Sequence, residues 1–188
     1  MICVKKILIL FMCLCLFPII IIAKDYTDPL GTSCLLPNSW AIHNTYGDVY
    51  KDAYSLTEIY GDFISIFLYT FPNNTNSSEV MNLSLKDRQY IANDLMSVSS
   101  SKFSSVISQK NSLAFLNNLS AIKVFIDGYR NGYLLSLEEY LIFKNNKKVL
   151  IMIYSPAYRP TVIQAQISKF LNSLSISSTV KAATANGK

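Results

Sequence analysis

Beyond the first 23 residues, the side chains versatile enough for nucleophilic, metal-binding or redox chemistry are one cysteine, Cys34, and one histidine, His43. No third ligand follows at zinc-site spacing. A Cys34–His43 nucleophilic pair would also need an orienting partner and an oxyanion hole, and no neighbouring motif supplies either. Cys34 precedes Leu35-Leu36-Pro37 and reads as a buried thiol at a strand start, while the lone His43 reads as a surface or edge residue. Gly-x-Ser-x-Gly, His-Glu-x-x-His and phosphate-cradling glycine motifs are all missing, and six glycines leave little material for such a loop.

Glu138 and Glu139 are neighbours, so on a strand they face opposite ways and cannot share a glycosidase site. Glu139 has the parity of the apolar positions around it, which reads as a β-bulge in preference to a buried, partnered carboxylate. The sequence therefore assigns no catalytic, cofactor or metal residue, and the chain is read as non-enzymatic. Tyrosine is the abundant functional side chain, with 12 in all. It combines a large apolar ring with a polar tip and recurs where proteins meet proteins or sugars. The candidate binding surface is Tyr129, Tyr133, Tyr158 and Trp40.

The elements that would carry these residues follow from pattern. Phe63 to Tyr69 is rich in β-branched and aromatic residues and reads as a strand. Ser84 with Asp87 makes a capping box, and Ile91, Leu95 and Val98 recur at helical spacing, which predicts a helix over 85–103. The serine- and asparagine-rich stretch after it reads as irregular. An antiparallel meander follows over 121–127, 133–143 and 148–154, joined at Arg130-Asn131-Gly132 and Asn145-Asn146. Its middle strand predicts one wet and one buried face, and Lys144, Lys147 and Lys148 read as a solubilising turn. A last helix after Pro160 carries the stripe Ile163, Ile167, Phe170, Leu171 and Leu174.

Lys5 and Lys6 followed by an apolar run from Ile7 to Ile22 and by Ala23 have the order of an export signal. The expectation is a cleaved signal peptide over 1–23, or an N-terminal anchor with membrane proximity, and an extracytoplasmic location, secreted or periplasmic. Residues 24–33 read as a linker, 34–178 as a single domain and 179–188 as a flexible tail. The formal charge of +5 includes Lys5 and Lys6, and the surplus without them is too small to argue for nucleic acid.

The order of elements resembles the PsbP-like superfamily, which includes the photosystem extrinsic protein and the bacterial DcrB envelope proteins. Leu36-Pro37-Asn38-Ser39-Trp40 carries the likeness near the start, although Ser39 stands where a glycine is usual. Val149 to Pro156, the helix behind it and Phe170-Leu171-Asn172-Ser173-Leu174 carry it at the end. The resemblance implies an α+β fold, with a mid-chain and a C-terminal helix on a central antiparallel sheet. It also implies a non-enzymatic role in binding or assembling other envelope proteins. A carrier of a small apolar or sugar ligand, in a pocket between helix and sheet, is the competing expectation.

Overall fold

The computed structural model describes residues 23–49, 52–61, 63–72 and 79–178. The expected signal segment up to Ile22 and the tail from 179 onward lie outside them. The chain is α+β, with ten strands and two α-helices among the described residues. Seven strands form one antiparallel sheet in the order β3-β4-β5-β9-β8-β7-β6. They are β3 Ala41–Val49, β4 Asp52–Gly61, β5 Ile64–Pro72, β6 Ser105–Leu116, β7 Leu119–Arg130, β8 Tyr133–Lys144 and β9 Lys147–Pro156. The helix α1, Leu85–Ser100, lies on one face over β6 and β7. The second helix, α2, Thr161–Ser173, lies on the other with a small sheet of β1 Ala23–Thr27, β2 Thr32–Pro37 and β10 Ser175–Ile176.

The expected linker is not a linker. Ala23–Thr27 pairs along its whole length with β2, from Ala23 opposite Pro37 to Thr27 opposite Ser33. The polar residues that suggested a tether are tied down. Tyr26 shares a hydrogen bond with Thr57 Oγ1 at 2.8 Å. Buried Asp28 accepts from Thr32 N at 2.9 Å and from Thr70 Oγ1 at 2.6 Å, which locks the small sheet onto β5. Gly31, with φ 88°, supplies the turn.

The meander forms as its turn residues predict, with Asn131, Gly132, Asn145 and Asn146 all at positive φ in two-residue hairpins. Three expectations fail around it. Both faces of β8 are covered, since Ser136 and Glu138 are buried under the α2 side and Leu137, Glu139 and Leu141 under the α1 side. Its register with both neighbours is unbroken, so Glu139 marks no bulge. Finally, the lysines around the β8–β9 turn are engaged: Lys144 pairs with Glu79, buried Lys147 donates to Ser177 O at 2.6 Å, and Lys148 lies over Phe71.

The larger core lies between the sheet and α2. Ile66, Leu68, Ile142, Ile151, Ile153, Ile167 and Phe170 are almost fully buried there, each contributing roughly 1.5–3 kcal/mol by leaving water. On the α1 side, Leu95, Met96 and Phe103 close over Val124, Ile126, Leu137 and Met152. Ser84 caps α1, accepting from Asp87 N at 3.1 Å.

Candidate functional site

Strand register brings most of the sequence-predicted surface together. Gly61 is opposite Ile64, Ser65 opposite Tyr154, Leu135 opposite Pro156, and Tyr129 opposite both Leu134 and Ser105. The end of β4, the β4–β5 turn, the end of β9 and the β7–β8 hairpin therefore share one end of the sheet. Tyr60, Phe63, Tyr129, Tyr133 and Leu134 are all exposed there. Tyr158 joins them on the loop after β9, because Ala157 N donates to Leu134 O at 3.4 Å. From β4 to β7 this aromatic rim crosses four strand spacings, about 19 Å.

Trp40 does not belong to it. It is 2% exposed, its indole packs on Gly61, and a Cβ added there would fall 2.7 Å from Trp40 Cε2. The ring closes the core where β2 turns into β3, with Trp40 N bonded to Pro37 O at 3.0 Å.

The rim rests on a framework of rings and charges. On the α1 face Tyr60 meets Phe67 edge-on at 6.4 Å, and Phe67 meets Tyr154 edge-on at 5.9 Å. Arg130, beside Tyr133 in the hairpin, stacks its guanidinium 4.8 Å from the centre of the Tyr154 ring. On the other face buried Glu138 holds the loop that bears Tyr158. Its carboxylate takes Lys123 Nζ at 2.7 Å, the Tyr140 hydroxyl at 2.5 Å and Arg159 Nη1, while Arg159 Nε reaches Ser155 Oγ at 2.5 Å. Burial alone would raise the Glu138 carboxyl, but hydrogen bonds from Lys123 and Tyr140 and the Arg159 charge outweigh it and hold it below its ordinary value.

Phe63 is the residue sequence reading missed. It is 78% exposed with φ 61°, a conformation that costs a bulky residue on the order of 1–3 kcal/mol. Its place at the head of an apolar run suggested the first residue of a strand, and only the turn geometry turns it outward.

The two versatile side chains stand apart. Cys34 is buried on β2, and burial, with a smaller push from Asp28, raises its thiol to about 12. The His43 side chain is 70% exposed on edge strand β3, with Nδ1 at 3.7 Å from Glu58. Glu139 is the buried, partnered carboxylate that sequence parity ranked second. Lys102 meets it at 2.8 Å and Ser99 donates to it, which ties the C-terminal end of α1 to β8. Among the described residues no group of histidine, cysteine and acidic side chains is placed to hold a metal ion. None of their helices is long and apolar enough to cross a membrane.

No protein-family model matches the chain, and neither does any curated protein. Solved structures do match. The solution structure of cyanobacterial PsbP (CyanoP) from Synechocystis sp. PCC 6803 aligns with TM-score 0.54 at 11% identity, over 84% of this chain and 94% of that one. A crystal structure from Bacteroides thetaiotaomicron VPI-5482 aligns with TM-score 0.54 at 12% identity over 82% of this chain, which spans about half (48%) of that protein. At such identities the likeness shows a PsbP-like fold and transfers no residue's role.

Proposed function

We propose that this chain is a non-enzymatic binding protein of an extracytoplasmic compartment, and that it engages an envelope protein through the aromatic rim. The carrying observation is the convergence of Tyr60, Phe63, Tyr129, Tyr133 and Tyr158, drawn from three separate connections, on one end of a rigid sheet. Scattered exposed apolar side chains are ordinary, but five exposed aromatic side chains gathered at one sheet end, with Arg130 in the same hairpin as two of them, have the composition of a protein-binding hot spot. Phe63 adds weight because nothing in the core requires a strained, solvent-facing phenylalanine. A buried thiol held as the neutral form and an exposed histidine on another strand supply no catalytic pair. The export-like residues 5–23 support the compartment, and the PsbP-like fold agrees with an accessory role of the DcrB kind.

The test is affinity capture of the tagged chain from its own host. Wild type, Cys34→Ser and His43→Ala should retain one stoichiometric partner, and Tyr133→Asp with Tyr158→Asp should lose it at unchanged melting temperature. Retention by the tyrosine variant, or loss by either folded Cys34 or His43 variant, would overturn the reading.

A further inference from the structure

A second surface lies where the sheet ends at β6. This strand pairs only with β7 among the described residues, so one edge of its 12-residue backbone presents free N–H and C=O groups. It contains no proline, glycine or acid, and Lys110 is its one charged residue. Lys110 lies over Phe125 on the α2 face of the sheet. The usual guards against edge pairing are thus reduced to that lysine and a bulge at Val106/Ser108.

On the opposite face, α1 runs beside this edge and leaves a cleft of about 240 Å³ lined by Leu85, Arg88, Gln89 and Ala92 of the helix and by Leu113 and Ile122 of the sheet. Leu85, Leu113 and nearby Phe115 are exposed. The Arg88 side chain has no hydrogen-bonding or ionic partner among the described residues, and its Nε is buried without one. The adjacent acid, Asp87, is turned toward the Ser84 cap at 2.6 Å. A free backbone edge, an apolar cleft beside it and an unpaired guanidinium in the cleft wall make a receptor for an extended chain.

We infer that the groove between β6 and α1 takes an extended peptide as an eighth strand, with an acidic side chain on Arg88 and a large apolar side chain two residues away in the cleft. The i, i+2 spacing follows because both side chains must point to the α1 face of the added strand. The acid follows from Arg88, which lacks a counter-charge, and from β6 itself, whose one charge is also positive. A second copy of β6 fits poorly, since it brings no acid to Arg88 and sets two Lys110 side chains near each other. The groove lies on a different part of the sheet from the aromatic rim, so either surface can stand if the other fails.

The experiment uses a fluorescein-labelled octapeptide of alternating valine and threonine, with one glutamate and, two positions on, one leucine. Fluorescence anisotropy with the full chain should show saturable binding, weakened about tenfold by glutamate-to-glutamine exchange in the peptide. Arg88→Met should bind both peptides equally and weakly, with unchanged melting. Amide hydrogen exchange should show new protection within β6 and none in β3. Equal affinity of wild type for the two peptides, absence of binding at millimolar peptide, or binding without protection of β6 would each overturn the inference.

Discussion

Glu138→Gln tests the framework behind the aromatic rim. The substitution keeps the shape of a side chain that is 9% exposed but removes the charge that faces Lys123 at 2.7 Å and Arg159. Removing one partner of a buried ion pair costs about 3–5 kcal/mol. The lower figure applies here, because the Lys123 side chain is 27% exposed and can regain water. The loss at neutral pH should be about 3 kcal/mol, or roughly 6–12 °C in melting temperature for a chain of this size. The folded carboxyl lies below its ordinary value of 4.5. Its stabilisation is therefore complete above that value and fades as pH falls through the lower folded value. Asp28 has the opposite sign, since burial raises its carboxyl, but it is common to both proteins and cancels in their difference. Urea unfolding of wild type and variant at several pH values from 7 downward should show the gap closing in acid. Equal stability at pH 7, or a gap that ignores pH, would refute the assignment of Glu138 as an ionised anchor.

Cys34 should resist a thiol reagent at pH 8 in the folded protein and react fully in urea, because its thiol is buried and raised to about 12; fast native labelling contradicts this. Leu171→Asp places a charge on the buried face of α2 and should cost several kcal/mol, seen as loss of cooperative melting. Gly61→Ala presses a methyl onto Trp40 and should cost about 1–3 kcal/mol. The chain's single tryptophan should report it by a fluorescence shift.

Local patterns made the meander, its turns, the capping box and the α2 stripe legible, since each is set within a few residues. The misreadings concern long-range partners. The strand β6 is exposed along most of its length, so it carries no alternation to distinguish it from a loop. The pairing of β1 depends on β2, and its polar residues become meaningful only beside Thr57 and Thr70. Glu139 read as a bulge because its partner Lys102, just past the end of α1, lies 37 residues away. Tyr129, Tyr133 and Tyr158 were readable as candidates because tyrosine types a surface. Trp40 was misplaced because its cover, Gly61, lies on another strand.

If the rim functions as proposed, it touches a protein. Site-specific incorporation of a benzophenone amino acid at Tyr133, Tyr158 or, as a control, at exposed Tyr90 on α1, followed by irradiation in the native host, tests it most directly. One discrete cross-linked protein is expected from positions 133 and 158 and none from position 90. Adducts of equal yield at position 90, or none at either rim position, would contradict it.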